Sequence, residues 1–328
     1  MRAIRLHAFG PAENLVLEEV EDPRPGPGQV RVAVRAAGVH LLDTALREGV
    51  QGPLPQPPDL PTVPGREVAG VVDALGEGTS GDWLGRRVVV HLGFAPGGYA
   101  ELAVADAARL HEIPANLDFA EAVAMIGTGR TTMGILQFAD LGPGSVAVVP
   151  AAAGGIGTLL VQYAKHAGAT VIGLAGGPEK TARVAANGAD LAVDYRDPEW
   201  PAKVRAHLGG DEATVVFDGV GGDVAREAVA LLGPGGRHLV FGWSGMSPHD
   251  GDGIPYLVEG VSQQVLGPVM MEKAGGDDPV RTLELRALAQ AAEGRLVPAV
   301  HRFPLAGAAA AHRALENRGT TGKVVLEP

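Results

Sequence analysis

A glycine-rich segment in the middle of the chain has the residue types that bind phosphate groups. The apolar run Val146–Ala151 is followed by Ala152, Gly154 and Gly157, at the spacing of a tight turn that opens a helix. At such a turn, free backbone N–H groups meet the positive end of the helix dipole, which suits the pyrophosphate of a dinucleotide. The motif is weakly specific by itself, so it indicates dinucleotide binding only when strands and helices surround it in the right order. The predicted backbone contacts come from Ala153, Gly154, Gly155, Ile156 and Gly157.

The segment after this turn bears on which dinucleotide binds. In NAD-binding folds an acid about 20 residues beyond the last glycine holds the ribose hydroxyl. Here the corresponding strand end reads Leu174–Pro178 and contains no acid. Gly176 leaves the loop open and Lys180 follows within one helical turn, so a 2′-phosphate would be accepted. Glu179 could act as a late ribose acid, and Lys180 could be an ordinary solvated residue. The pattern favours NADP (NADPH) over NAD.

Three polar residues near the N-terminus are candidates for catalysis, namely His40, Asp43 and Arg47. The unperturbed pKa of histidine lies close to neutrality, so His40 could hydrogen-bond a substrate carbonyl or donate a proton. It could equally satisfy backbone groups beside a cleft. On a helix, Asp43 and Arg47 would face each other as an ion pair, because they are four positions apart. A structural pair is the favoured role for those two.

The bulk properties of the chain restrict the classes of protein to which it can belong. The 328 residues are 46% hydrophobic and 20% charged, which is typical of a globular protein with room for two domains. The formal net charge of −11, without a long basic run, argues against nucleic-acid binding. The absence of cysteine excludes disulfides, thiolate catalysis and cysteine-bound metals. No segment resembles a signal peptide or a membrane span, so we expect a cytoplasmic protein without membrane partners.

Apolar periodicity and turn formers divide the chain into two domains. Residues 1–121 contain alternating runs such as Val30–Arg35 and are predicted to be rich in strands. Residues 122–271 alternate strand and helix, which predicts an α/β fold with a doubly wound parallel sheet. Residues 272–328, which include the strand-like run Gly322–Leu326, are predicted to rejoin the first domain. Strands are predicted at Val146–Ala151, Thr170–Leu174, Leu191–Tyr195, Thr214–Asp218, Arg237–Phe241 and Gln264–Val269, and helices at Ile156–His166, Glu179–Asn187, Trp200–Leu208, Val224–Leu232 and Arg281–Glu293.

Several segments together resemble the medium-chain dehydrogenase/reductase superfamily, and within it the zinc-free, zeta-crystallin-like quinone oxidoreductase branch. They follow the family's order along nearly the whole chain, and their joint order is more specific than any one of them. The segments are Ala36–Gly49, Pro64–Val72, Gly97–Glu101, Ala152–Gly157, Val216–Gly222, Gly235–Gly242 and Gly319–Lys323. The resemblance implies a β-rich, GroES-like catalytic domain made from both chain ends, with a Rossmann dinucleotide-binding domain inserted between them.

The resemblance also assigns roles to single residues. Family positions that contact the cofactor correspond here to Thr131, Lys180, Tyr195, Phe241, Gly242 and Arg318. The alternative roles are core packing for Phe241, a strand-end anchor for Tyr195 and surface charge for Arg318. Zinc-dependent members carry a Cys soon after the Ala-Ala-Gly-Val segment and a His in Pro-Gly-His-Glu. This chain has no Cys and has Arg66 at the second place, so no metal is expected. The branch commonly has Asn where His40 stands, which leaves the substrate open.

The resemblance implies an NADPH-dependent oxidoreductase that transfers hydride to a quinone or an α,β-unsaturated carbonyl. Such acceptors need near-attack positioning and a proton for the enolate or quinol oxygen. Trp243 and Met246 could wall an apolar acceptor pocket. Two alternatives are an enoyl-thioester reductase for a CoA or carrier-protein substrate and a non-catalytic NADPH-binding redox sensor. We also expect a homodimer in which the strand Gln264–Val269 pairs with its copy.

Overall fold

The computed structural model describes residues 1–50, 58–242, 244 and 259–328. They form two compact units, one made of Met1–Thr128 with Pro298–Pro328 and the other of Gly129–Val297. Trp243 and Met246, the candidates for an acceptor pocket, lie outside the described residues.

The elements follow the chain in this order. The strands are β1 (Arg2–Leu6), β2 (Leu15–Glu19), β3 (Gln29–Val39), β4 (Glu67–Leu75), β5 (Arg87–His91), β6 (Leu102–Asp106), β7 (His111–Glu112), β8 (Val146–Val149), β9 (Thr170–Ala175), β10 (Leu191–Asp194), β11 (Ala213–Asp218), β12 (Leu232–Val240), β13 (Ser262–Val265), β14 (Val300–Pro304) and β15 (Lys323–Glu327). The helices are α1 (Leu41–Arg47), α2 (Phe119–Ala124), α3 (Arg130–Leu136), α4 (Gly155–His166), α5 (Pro178–Ala186), α6 (Trp200–Leu208), α7 (Gly222–Val229), α8 (Pro268–Ala274), α9 (Pro279–Ala292) and α10 (Ala308–Glu316).

The first unit is built on a seven-stranded sheet in the order β14-β15-β3-β4-β5-β7, with β6 also paired to β3. The C-terminal strand β15 runs antiparallel to β3 and places Val325 opposite Gly38. Along β3 the side chains of Val30, Val32 and Val34 are buried and alternate with partly exposed ones, as the period of two predicts. Strands from the first 112 residues and from the C-terminal segment therefore share one sheet, while β1 and β2 pair separately.

The second unit is a six-stranded parallel sheet in the order β10-β9-β8-β11-β12-β13. The chain winds outward from β8 in one direction and resumes at β11 on the other side of β8, which is the doubly wound topology. Val148, Ile172 and Phe217 are fully buried within its core. The predicted α/β fold, with a Rossmann sheet inserted into a GroES-like domain, is confirmed.

The two boundaries between the units differ from those predicted. The first falls after Thr128 instead of residue 121, because α2 packs against β3 and β4 of the first unit. The second falls after Val297 instead of residue 271, because α9 packs against α3 and α8. Helical periodicity identifies the apolar face of α9 but carries no information about which domain covers it.

Two predicted elements end three or more residues earlier in the structure than predicted. The strand predicted at Gln264–Val269 is β13, which ends at Val265 because Gly267 caps α8 and Pro268 is its first residue. The helix predicted at Val224–Leu232 ends at Val229, and the strand β12 follows. In both cases an apolar run continues from the end of one element into the next, so periodicity does not show where the first element ends.

Candidate active site

The glycine turn, residues 150–157, joins β8 to α4 in the second unit. Ala151 has a left-handed backbone (φ 52), and the Gly154 N–H donates to the Ala151 carbonyl at 2.9 Å. The helix begins at Gly155, and its N-cap Gly154 has no side chain to occupy the first N–H groups. A Cβ on Gly157 would collide with the backbone of Ala151. The turn lies at the carboxyl edge of the sheet, beside the reversal in strand order, where dinucleotides bind in such folds.

Exposure separates the predicted contacts within this turn. Ala153 and Gly157 are buried, whereas Gly154, Gly155 and Ile156 are partly exposed. The buried pair packs the helix against the turn, and the other three residues leave their backbone accessible to a ligand.

Two loops meet where β9 and β10 end. The Tyr195 N–H donates to the last carbonyl of β9 at 3.1 Å, and the Tyr195 hydroxyl lies 2.7 Å from where a Cβ on Gly176 would stand. The Asp194 carboxylate accepts a 3.0 Å hydrogen bond from the Arg196 N–H, and hydrogen bonds from that N–H and the N–H of Gly177 lower its pKa. The two predicted residues Gly176 and Tyr195 are therefore brought together.

Arg196 lies beside this pair and was missed by sequence reasoning. Its Nη1 atom is 3.1 Å from the position of a Cβ on Gly177, so the guanidinium lies against the loop after β9. The predicted contact Lys180 lies in the first turn of α5, directly after the same loop. The only sequence signal for Arg196 was its position next to Tyr195 in the chain.

Phe241 and Gly242 follow β12 and lie against the loop after β11. The Phe241 N–H donates to the Asp218 carbonyl at 2.8 Å. A Cβ on Gly219 would lie 2.6 Å from the Phe241 ring, and a Cβ on Gly242 would lie 3.0 Å from the Gly219 carbonyl oxygen. Because Phe241 is partly exposed, the ring contributes a surface at the same sheet edge as the glycine turn.

A buried polar chain supports this edge and was also missed. The Asp218 Oδ1 atom accepts hydrogen bonds from the N–H groups of Val220 at 2.9 Å and Gly221 at 2.8 Å. His238 Nε2 lies 2.9 Å from Asp218 Oδ2, and Gln263 Nε2 lies 2.9 Å from His238 Nδ1. Since the Gln263 amide donates to Nδ1, the His238 proton is assigned to Nε2, which donates to Asp218. The chain links β13 to the loop on which Phe241 packs.

The two remaining predicted cofactor contacts belong to different units. Thr131 lies on α3 in the second unit, whereas Arg318 follows α10 in the first unit and has a left-handed backbone (φ 54). Their roles toward a cofactor stay predictions.

The His40 side chain meets two further polar side chains of the first unit, those of Glu67 and Lys323. The His40 Nε2 atom lies 2.6 Å from Glu67 Oε1 and 2.7 Å from Lys323 Nζ, and Lys323 Nζ lies 2.9 Å from Glu67 Oε2. The side chains of Glu67, Lys323 and His40 are 0%, 4% and 27% exposed, so the imidazole is the accessible member of this His40 cluster. Glu67 and Lys323 were not predicted as site residues, although both stand in segments that carried the resemblance (Pro64–Val72 and Gly319–Lys323).

The carboxyl group of Glu67 is held ionised in the His40 cluster. Burial by itself raises the pKa of Glu67, but attraction to His40 and to Lys323 outweighs burial and keeps the pKa well below its usual value. Attraction to these two groups lowers the pKa of Glu67 more than its hydrogen bond with His40 does. Charge attraction at ion-pair distance, more than directed hydrogen bonding, therefore holds this carboxylate.

Asp43 and Arg47 lie on α1, but the predicted ion pair between them is wrong. Asp43 turns back over the start of the helix, where its Oδ2 accepts hydrogen bonds from the His40 N–H at 2.8 Å and the Tyr99 hydroxyl at 3.1 Å. The Arg47 side chain is buried and donates from Nη2 to Glu316 at 2.7 Å. An acid in the first turn of a helix satisfies the free N–H groups there and so points away from position i+4.

A buried Tyr99 network, made of Asp43, Tyr99, His312 and Arg47, joins α1 to α10. The His312 Nε2 atom lies 3.2 Å from the Tyr99 hydroxyl, and Arg47 Nη1 lies 3.5 Å from His312 Nδ1. Because a guanidinium only donates, Nδ1 accepts and the His312 proton is assigned to Nε2. Burial lowers the pKa of His312 to about 4, against an opposing effect of Asp43. Burial, followed by Asp43, raises the pKa of Tyr99 well above its usual value.

The residues at His40 do not fit a zinc ion. The guanidinium of Arg66, which replaces the zinc-binding His of metal-dependent relatives, lies 3.7 Å from Asp43. The ammonium of Lys323 stands 2.7 Å from His40 Nε2, the nitrogen that would have to bind a metal. Over the described ranges, no three His, Cys, Asp or Glu side chains form a metal-binding group.

Two family descriptions match the chain. Residues 26–115 match the alcohol dehydrogenase GroES-like domain, and residues 155–269 match the family described as zinc-binding dehydrogenase. These ranges fall in the first and second units respectively, and the fold and glycine turn define a dinucleotide-binding dehydrogenase or reductase.

Full-length relatives narrow this class. A quinone oxidoreductase of Pseudomonas aeruginosa is 33% identical over 100% of this chain and 99% of its own length. A 2-haloacrylate reductase of Burkholderia sp is 33% identical over 98% of both chains. The chain belongs to the medium-chain dehydrogenase/reductase superfamily and, within it, to the quinone oxidoreductases.

Solved structures show the same architecture. The Escherichia coli quinone oxidoreductase complexed with NADPH is 28% identical, with a TM-score of 0.83 over 100% of both chains. An NAD-dependent alcohol dehydrogenase is 32% identical, with a TM-score of 0.84 over 100% of both chains. Because the two neighbours are named for different dinucleotides, the choice between NAD and NADP depends on this chain's own residues.

Proposed function

We propose that the protein is a zinc-independent, NADPH-dependent oxidoreductase that reduces a quinone or an α,β-unsaturated carbonyl. The observation that carries the proposal is the glycine turn, which opens α4 at the carboxyl edge of a doubly wound sheet. The names of the full-length relatives, quinone oxidoreductase and 2-haloacrylate reductase, support the same type of acceptor. Both names describe reactions of electron-poor conjugated systems, which accept hydride at carbon or oxygen.

The residues that would hold the cofactor lie along one edge of the second unit. The backbone N–H groups of Gly154, Gly155 and Ile156 are oriented to bind pyrophosphate, and Phe241 with Gly242 offers a flat apolar wall for the nicotinamide. When bound, the reduced nicotinamide supplies the hydride. Thr131 and Arg318 are the further contacts that we propose from the family resemblance.

The loop after β9 favours NADPH over NADH. Gly176 and Gly177 leave it without an acidic side chain, while the Arg196 guanidinium lies against it and Lys180 follows in α5. Cations placed in this way attract a 2′-phosphate and have nothing comparable to bind in NADH.

His40 is the proposed polar contact for the acceptor. Its imidazole is the exposed member of the His40 cluster, and it can donate a hydrogen bond to a substrate carbonyl or a proton to the enolate or quinol oxygen. Asp43 and Arg47 do not take part in this proposal as reacting groups, because the Tyr99 network engages both of them.

The decisive experiment follows the loss of NADPH or NADH absorbance with purified protein and several acceptors. We would compare phenanthrenequinone, benzoquinone, cyclohexenone, 2-chloroacrylate and crotonyl-CoA. NADPH-selective turnover with a quinone, the enone or the haloacrylate supports the proposal. Preference for crotonyl-CoA favours an enoyl-thioester reductase, and tight NADPH binding without turnover of any acceptor favours a redox sensor.

Homodimer formation and a cytoplasmic location are further proposals. β13 forms an edge of the six-stranded sheet and could pair with its copy, which light scattering would detect as twice the monomer mass. No helix in the described parts of the chain has both the length and the apolar character to cross a membrane.

A further inference from the structure

The His40 cluster is assembled from residues far apart in the chain. Glu67 is the first residue of β4, Lys323 is the first residue of β15, and His40 directly follows β3. Since β3 lies between β15 and β4 in the sheet, Glu67 and Lys323 can meet only by reaching across it.

Glycines make that crossing possible. A Cβ on Gly38 of β3 would lie 3.0 Å from Lys323 Cε and would collide with Glu67 Oε2. A Cβ on Gly127 would collide with Glu67 Oε1. The carboxylate is thus enclosed between two backbone segments that lack side chains, which fixes its position beside His40.

The two partners of His40 Nε2 favour opposite protonation states of that nitrogen. Glu67 Oε1 at 2.6 Å is an acceptor and favours a protonated Nε2, whereas Lys323 Nζ at 2.7 Å is a donor and favours an unprotonated one. Both contacts are shorter than 3 Å, and both charged partners are buried, so solvent screens these interactions weakly.

Other charged or titratable groups also face the cluster. His91 of β5 attracts Glu67, and its Nδ1 accepts a 2.9 Å hydrogen bond from the Gly93 N–H. Asp43 binds the His40 N–H, and Arg66 stands beside Asp43. At the start of α1, the His40 side chain also forms a capping box with Asp43, in which it faces the Asp43 N–H.

We infer that Glu67 and Lys323 are positioning residues that act on the protonation of His40 in opposite directions. The Glu67 carboxylate stabilises the imidazolium, and the Lys323 ammonium opposes it and favours the neutral ring. This inference deepens the proposed function, since it concerns the proposed acceptor contact, but its primary test needs no substrate.

The test is a nuclear magnetic resonance titration of the histidine side chains in the full-length protein. The His40 signal is assigned by its loss in His40→Asn. Lys323→Met should raise the pH at which His40 is half protonated, and Glu67→Gln should lower it. Shifts of the same sign, or no shift in either variant, would overturn the inference.

A matched control separates this effect from a general loss of buried charge. Glu284, in the second unit, is buried and pairs with Arg130 at 3.1 Å. Glu284→Gln is the same isosteric change and should leave the His40 titration where it is. A His40 shift in this control as large as that in Glu67→Gln would count against the inference.

A second measurement avoids substitution of a buried charge, in case either variant does not fold. Coupled sites influence each other equally, so the Lys323 Cε and Glu67 Cδ signals of the wild type should move with the His40 midpoint. In His40→Asn this movement should disappear. Lys323 and Glu67 signals that do not change when His40 is protonated in the wild type would contradict the inference.

Enzyme kinetics distinguish failure of the inference from failure of the proposed function. If Lys323→Met and Glu67→Gln shift the His40 titration but no acceptor is reduced, the inference stands and the reductase proposal fails. If acceptors are reduced but the titration is unmoved, the reductase proposal stands and the inference fails. When both hold, the pH profile of kcat should move to higher pH in Lys323→Met and to lower pH in Glu67→Gln.

Discussion

The glycine turn of the second unit and the His40 cluster of the first unit use different parts of the polypeptide. The turn consists of backbone groups from eight consecutive positions, and its ligand contacts need no side chain. The cluster consists of side chains from three strands or strand ends that are remote in sequence, and its geometry depends on the sheet order β15-β3-β4. A binding surface built from backbone groups can therefore be predicted from a local segment, whereas one built from buried charges depends on the whole fold.

The strongest effect that we predict is at the Tyr99 network, which like the His40 cluster depends on tertiary packing. His312 has a pKa of about 4 in the folded protein against 6.5 ordinarily, so the unfolded chain binds its proton more tightly. As the pH falls from about 6.5 to 4, the free energy of unfolding should therefore decrease by about 3 kcal/mol through this residue.

Urea unfolding at several pH values measures this contribution. His312→Gln should reduce the loss of stability over that pH range, even if the variant is less stable at pH 7. His166→Gln, at an exposed position in α4, is the control and should not reduce that loss. Equal pH dependence in the wild type and His312→Gln would show that the network does not hold His312 neutral.

The next effect tests whether the glycine turn depends on backbone contacts alone. Gly157→Ala should weaken NADPH binding roughly 100-fold, because the added Cβ collides with Ala151 and displaces the start of α4. Gly142→Ala adds the same methyl group in open space and should bind NADPH normally. Calorimetric titration measures both, and unchanged affinity in Gly157→Ala would separate the turn from cofactor binding.

A smaller effect is expected for the side-chain region. His40→Asn should lower kcat/KM for a quinone or enone roughly 30-fold, because Asn can hydrogen-bond the acceptor but cannot supply a proton at neutral pH. The dissociation constant of NADPH should stay within about twofold, since the predicted backbone cradle lies elsewhere. Steady-state kinetics with calorimetry tests this, and parallel losses in both quantities would indicate a structural role.

The weakest effect that we predict is at the loop after β9, where a side chain adds to the contacts that the backbone makes. Arg196→Ala should reduce the preference for NADPH over NADH about tenfold, chiefly by raising the KM for NADPH. The effect is modest because Arg196 is exposed. Arg226→Ala, an exposed helical arginine paired with Asp223, is the control. An unaltered NADPH/NADH ratio in Arg196→Ala would assign the discrimination to Lys180 or to other groups.

Much of the fold could be predicted because its signals are local. The alternation of apolar strands with helices predicted the parallel sheet. The cap of α2 is equally local, since the Asp118 carboxylate accepts a 2.8 Å hydrogen bond from the Glu121 N–H. The predictions were wrong where an apolar run spans two elements, as at Gln264–Val269. They also misplaced α9, because the neighbour of an apolar helix face cannot be read from its periodicity.

The site residues also separate into those that a local pattern indicated and those that it did not. Gly154, Gly155 and Gly157 stand in the turn that their spacing predicted, and the structure places Gly176 beside Tyr195. Arg196, Glu67 and Lys323 were missed because their partners come from other strands. The predicted pairing of Asp43 with Arg47 was wrong because position i+4 is one of several available neighbours, and the helix N-terminus and Tyr99 compete for the same carboxylate.

The parallel α/β unit, the glycine turn and the absence of an acid in the loop after β9 all follow from the amino-acid sequence alone. These features depend on backbone conformation and side-chain size over a few consecutive residues, where steric limits act locally. The charges that meet at His40 and the hydrogen bonds of Asp43 and Arg47 depend instead on how the chain folds. Electrostatic energies depend on distance and burial, and both are set by the order in which remote strands join the sheet.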